Sequence, residues 1–203
     1  MPADHAPRGC VLVLPGGRVR SDQASSPRQL ANVRMAFVSR ALRRRLGSGV
    51  DVRQVQYRLR GWNSPRMDPV ADAREVLDDV RQRFEPERIV LVGHSMGGRV
   101  AAHLAAGGGV GAVVALAPWW EGQDGDLIPT GTRLLVVHGT ADITTDPAGS
   151  RAGTGRARRR GLDAEWVGLE GVGHHMVRRW RDWHRLTTEF VAGHLDEAER
   201  SER

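Results

Sequence analysis

At 203 residues and 40% hydrophobic composition, the chain is expected to form a single domain over 1–203 with one buried core and ends (1–8 and 196–203) that fray. No apolar run is long enough to cross a bilayer, the amino end has no secretion-signal pattern, and Cys10 is the only cysteine. A membrane span and an internal disulfide are therefore excluded, and the cytoplasm is the expected compartment. The formal charge of +6 is all arginine, since the sequence contains no lysine. The clusters at 43–45, 158–160 and 178–179 read as solvated helix faces, and without interleaved aromatics they point away from nucleic acid.

In chain order, an aliphatic strand at 10–15 is followed by a loop and a helix near 27–46. The apolar positions Leu30, Val33, Phe37, Ala41 and Leu42 of that helix recur at helical spacing. A strand at 50–57 leads to Asp68-Pro69, which reads as an N-cap followed by proline at the first helical position of a helix reaching 84. The run Arg88-Ile89-Val90-Leu91-Val92 enters Gly93-His94-Ser95-Met96-Gly97-Gly98 and passes straight into a further helix. Strands at 110–117, 133–138 and 164–169 then alternate with a helix near 147–160 and a closing helix to about 195. This alternation predicts an α/β fold, a three-layer α/β/α sandwich around a mostly parallel sheet of about six strands.

Gly-x-Ser-x-Gly between a strand and a helix is the layout of a sharp turn that lifts a serine hydroxyl above the sheet. Glycine suits 93 and 97 because the helix folds back so closely that a Cβ would collide. A free serine hydroxyl is a weak nucleophile, so the turn requires a base and an acid that orients it. In chain order Ser, acid, His, the sequence supplies His138-Gly139-Thr140-Ala141-Asp142 after one strand and Gly171-Val172-Gly173-His174-His175 after the last. Each group follows the carboxyl end of a strand, the edge where open α/β sheets bind ligands. Asp146 before Pro147 and Glu121 are rival acids, and His175 is the rival histidine.

These three motifs resemble those of the α/β-hydrolase superfamily, and the likeness covers nearly the whole chain. It implies Ser95 as nucleophile, His174 as general base and then acid, and Asp142 as the group that orients His174. It also implies an oxyanion hole from the backbone N–H of Met96 and one from the loop after the first strand. There Leu14-Pro15-Gly16-Gly17-Arg18 stands in place of the family's usual His-Gly-x, and Gly17 is the expected donor. The connection 118–132 is too short for a cap domain, and no antiparallel hairpin precedes the first strand, so a trimmed, lidless member is expected.

The implied activity is cleavage of carboxylic esters or thioesters of small to medium size through an acyl-enzyme, with no cofactor. An acyltransferase or biosynthetic thioesterase with the same triad, and a catalytically silent binding protein on the same fold, are the alternatives. Trp119 and Trp120 follow a strand end and are expected to wall the substrate pocket, core filling being the plainer reading. Arg18 and Arg60 are the cations expected at the mouth, where either would attract a substrate carboxylate or phosphate; arginine is so abundant that chance placement is the plainer explanation. His174-His175 has no further ligand at a zinc-like spacing, so no metal is expected.

Overall fold

A computed structural model describes residues 6–175 and 177–201. Six strands, β1 Cys10–Leu14, β2 Asp51–Gln54, β3 Ile89–His94, β4 Ala112–Leu116, β5 Arg133–Gly139 and β6 Ala164–Leu169, form one sheet in the order 2-1-3-4-5-6. Every neighbouring pair is parallel. Parallel strands must be covered on both faces, which is why β1, β3 and β4 are mostly aliphatic and buried throughout.

Five helices supply the cover: α1 Leu30–Leu46, α2 Asp68–Arg81, α3 Met96–Ala105, α4 Pro147–Arg159 and α5 Trp180–Ser201. Met35, Val38 and Leu42 of α1 and Trp183, Val191 and Leu195 of α5 close over one face, against Val11, Val13, Val90 and Val92. On the other face Leu77 and Val80 of α2, Val100 and Leu104 of α3 and Ala157 of α4 pack on Leu12, Leu91 and Val113. The order reverses between β1 and β3, and it is at the carboxyl ends flanking such a switch point that open α/β sheets bind their ligands. Leu14 pairs with Gly93 in register, which brings the loop after β1 directly over the turn at Ser95.

Several boundaries differ from expectation. The second strand is only four residues long, and Tyr57 is buried after it has ended. Asp68 is the first residue of α2 rather than its cap; Met67, in the left-handed conformation at φ 50°, precedes it. Of the apolar stripe expected to bury α1, only Leu42 is core. Leu30, Val33 and Phe37 are exposed, because Met35, Val38 and Leu42 form the stripe that meets the sheet. Arg178 and Arg179 lie in the turn ahead of α5, not on a helix. That helix continues past the expected end at 195 to Ser201, and Arg8 pairs with its Asp196 at 2.7 Å and Glu199 at 3.0 Å. The rest of the expected frayed ends, 1–5 and 202–203, lies outside the described residues.

Candidate active site

At the end of β3 the chain turns so tightly that Ser95 has φ 55° and ψ −118°, a strained backbone for a residue with a Cβ. The surroundings fix this turn. The Ser95 N–H donates to the Leu116 carbonyl at 2.9 Å, and its carbonyl accepts from Gly98 and Trp119 N–H groups, both at 3.0 Å. A Cβ at 93 would strike the Gly97 carbonyl, and one at 97 the Leu14 carbonyl, so both glycines are required by close approach. The Ser95 side chain therefore stands at the amino end of α3, where free N–H groups favour developing negative charge.

Two loops bring the partners. The Oγ of Ser95 lies 3.0 Å from His174 Nε2, and His174 Nδ1 lies 2.8 Å from Asp142 Oδ2. His174 and Asp142 are both buried. The carboxylate of Asp142 accepts from the Thr144 and Thr145 N–H groups on Oδ1, at 2.7 and 3.0 Å, and from the Thr145 hydroxyl on Oδ2 at 2.8 Å. Burial works to raise the pKa of this carboxyl, but hydrogen bonds from His138, His174 and the two threonine amides outweigh it and hold it well below the usual carboxylate range. An acceptor-only carboxylate facing Nδ1 fixes the proton on that nitrogen and leaves Nε2 free to take one from the serine.

The rival residues fall elsewhere. Asp146 caps α4, accepting from the Ala148 N–H at 2.9 Å, and Glu121 pairs with Arg99 at 2.9 Å on the surface. The exposed His175 packs edge-on to His174, with ring centroids 5.4 Å apart.

Two histidines that the sequence did not single out as partners of the site support it. Nε2–H of His94 donates to the His174 carbonyl at 2.9 Å, tying the histidine loop to the serine turn. Burial outweighs the backbone bond and, with the charge of Arg34, pushes the His94 pKa down to about 3, so this clamp is neutral. Fully buried His138 places Nε2 3.1 Å from Asp142 Oδ2 and Nδ1 2.8 Å from Ser150 Oγ, and Trp166 Nε1 donates to the same Oγ at 3.0 Å. Asp142 is thus flanked by a histidine on each side. A histidine at the end of a strand, four residues before the acid, was the only sign of this in the sequence.

The loop after β1 crosses the serine closely. A Cβ on Gly16 would come within 3.4 Å of Ser95 Cβ, and one on Gly17 would strike the Met96 side chain and the Arg60 carbonyl. Met96 begins α3, where the first N–H groups of a helix have no partner within it. Trp119 packs its ring against Arg99, at 4.7 Å, and Trp62, at 6.1 Å. Trp120 donates from Nε1 to the Gly98 carbonyl at 3.1 Å and lies against Gly125 and Gly153. Arg60 is engaged with the Ala24 carbonyl at 3.0 Å and Gln23 at 2.9 Å, whereas the Arg18 side chain is exposed. Among the described residues no group of three or more His, Cys, Asp or Glu side chains is arranged to hold a metal ion.

A sequence model of the alpha/beta hydrolase family matches residues 11–200. The chain belongs to this family. No curated protein matches it significantly. Among solved structures, esterase 2 of Thermogutta terrifontis with butyrate bound is 21% identical, with a TM-score of 0.69 over 95% of this chain and 86% of that one. The same esterase phosphorylated by paraoxon is 24% identical, with a TM-score of 0.71 over 95% and 86%. An alpha-beta serine hydrolase homologue from Coxiella burnetii is 16% identical, with a TM-score of 0.68 over 93% and 87%. At these identities the likeness is one of fold, and it extends over most of each relative. The family's sheet and flanking helices are present, and the connection 118–132 holds one short 3-10 turn, Asp124–Leu127, in place of a large cap domain.

Proposed function

We propose that the chain hydrolyses carboxylic esters, thioesters included, of small to medium size through an acyl-enzyme on Ser95. The unbroken line Ser95 Oγ, His174 Nε2, His174 Nδ1, Asp142 Oδ2, at 3.0 and 2.8 Å, carries this reading. His174 Nε2 takes the Ser95 proton as Oγ bonds to the carbonyl carbon, and the carbonyl electron pair moves onto oxygen. The N–H groups of Met96 and Gly17 hold that oxyanion, each donor of this kind being worth about 3 kcal/mol. The intermediate collapses, His174 gives its proton to the departing alcohol or thiol, and the acyl group stays on Ser95. Water then attacks the acyl-enzyme with His174 as base, releasing the acid and restoring the serine. Asp142 keeps its charge throughout and stabilises the imidazolium formed in both steps.

The similar esterase, seen bound to butyrate and phosphorylated by paraoxon, supports ester chemistry on a fold of this kind. Small-molecule substrates also suit the arginines, many of which pair with carboxylates of the chain itself, such as Arg53 with Asp51 and Asp79 and Arg156 with Asp126. A cytoplasmic setting belongs to the same reading, where the single thiol, Cys10, buried in β1, needs no partner. The test is rapid mixing with 4-nitrophenyl butyrate. One equivalent of 4-nitrophenol should appear in a burst, and a butyryl adduct should be found on the peptide bearing Ser95. Turnover with no dependence on Ser95, or no turnover across a series of acyl lengths and leaving groups, would remove the reading.

A further inference from the structure

Helix α1 is apolar on two sides. Beside the stripe that meets the sheet, Leu30 and Phe37 remain 79% and 58% exposed, and across from them Val177 and Trp180 are 73% and 51% exposed. Large apolar side chains grouped in water mark a surface that is covered in use. Here they line a groove of about 420 Å³, within the range of small-molecule sites. His175 forms part of its wall, and since His175 packs on His174 the groove adjoins the histidine loop of the site.

One charged group in this apolar wall lacks a partner. Arg34 is half-buried and has no ion pair or hydrogen bond among the described residues, and no Asp or Glu lines the groove. Arg34 shares the groove wall with His175, the neighbour of His174. Trp183 lies beneath the groove, fully buried in the core, and serves as its floor. A guanidinium that is partly shielded by apolar side chains and has no acceptor of its own is a ready partner for an anion. By contrast Arg60 bonds the Ala24 carbonyl and Gln23, and Arg99 pairs with Glu121 and Asp124. A carboxylate matches the guanidinium fork, and its single charge balances the one unpaired cation, where a phosphate dianion would want a second.

We propose that this groove is a substrate subsite that takes an apolar chain ending in a carboxylate, with Arg34 as its recognition group. The substrate class is then an ester bearing a free carboxylate at the far end of an apolar stem. This rests on the ester-hydrolase reading and specifies its substrate.

The experiment compares two 4-nitrophenyl esters of equal chain length, the hexanoate and the monoester of adipic acid, on the full chain at low salt. The adipate ester should be preferred by at least about tenfold in kcat/KM. Arg34→Gln should bring the ratio of the two values close to one, mainly through KM, and Arg34→Lys should restore part of it. A second readout is independent of turnover: adipate should quench tryptophan fluorescence of the Ser95→Ala protein, and Arg34→Gln should weaken its binding by at least about tenfold. Equal wild-type rates for the two esters, or a ratio that Arg34→Gln does not change, would overturn the proposal while leaving ester hydrolysis intact. Arg34-dependent adipate binding without any ester turnover would uphold the subsite and sink the hydrolase reading. A dimer in sedimentation that Phe37→Glu dissociates, with no adipate bound, would give the groove to a second copy of the chain and overturn the proposal.

Discussion

Asp142 is held by five hydrogen-bonding contacts, from His138, His174, the Thr145 hydroxyl and the amides of Thr144 and Thr145. Its pKa is lowered, so its stabilising contribution is present above the ordinary carboxylate value of 3.8 and is lost as pH falls below it. It therefore stays ionised over the whole working range, and the acid limb of a pH–rate profile should not belong to it. Asp142→Asn should lower kcat by about 10³- to 10⁴-fold through the wrong imidazole tautomer. His174→Ala should be as damaging, and His175→Ala should stay within a few-fold of wild type in kcat for neutral esters. A wild-type rate in His174→Ala would refute the assignment. His138→Leu should cost about tenfold in kcat, roughly 1.4 kcal/mol, with KM little changed. Ser95, Asp142 and His174 were legible in the sequence because each follows a strand end and carries a motif. His138 and Thr145 were not, because contact with Asp142 depends on how the acid turn folds back, which no spacing encodes.

At the scale of elements, one turn carries two acids in different settings, Asp142 against His174 and Asp146 at a helix start. Asp146 satisfies the open amide of Ala148 at the start of α4, the ordinary work of an N-cap. Asp146→Ala should cost about 1 kcal/mol in urea denaturation and leave ester hydrolysis at wild-type rates, the reverse of Asp142→Asn. Loss of activity in Asp146→Ala without loss of stability would contradict this division. Strands β1, β3, β4 and β5 were readable as aliphatic runs, and their parallel pairing followed from the helices between them. The orientation of α1 was not readable. Its two apolar stripes, Leu30–Val33–Phe37 and Met35–Val38–Leu42, both have helical spacing, and only packing on the sheet decides which is buried.

For the whole molecule, the buried histidines set the response to acid. In the folded chain His94 has a pKa of about 3, lowered by burial, against an ordinary 6.5, and burial also lowers His184 and His194. The unfolded chain therefore binds more protons below pH 6.5, so stability is full above that value and is lost as pH falls from 6.5 towards 3. His94 alone should contribute a slope approaching about 1.4 kcal/mol per pH unit in that window. Urea midpoints measured between pH 7.5 and 4.5 should fall accordingly, and a flat profile would contradict a neutral, buried His94. The central claim, that a strained serine turn, an imidazole and a carboxylate from three separate loops make Ser95 a nucleophile, has a more direct test. A fluorophosphonate probe incubated with the folded chain should label it at one equivalent, and peptide mapping should find the phosphonyl group on Ser95. Ser95→Ala should abolish labelling while keeping the wild-type unfolding curve. Full labelling of Ser95→Ala, or no labelling of the folded wild-type chain, would contradict the account.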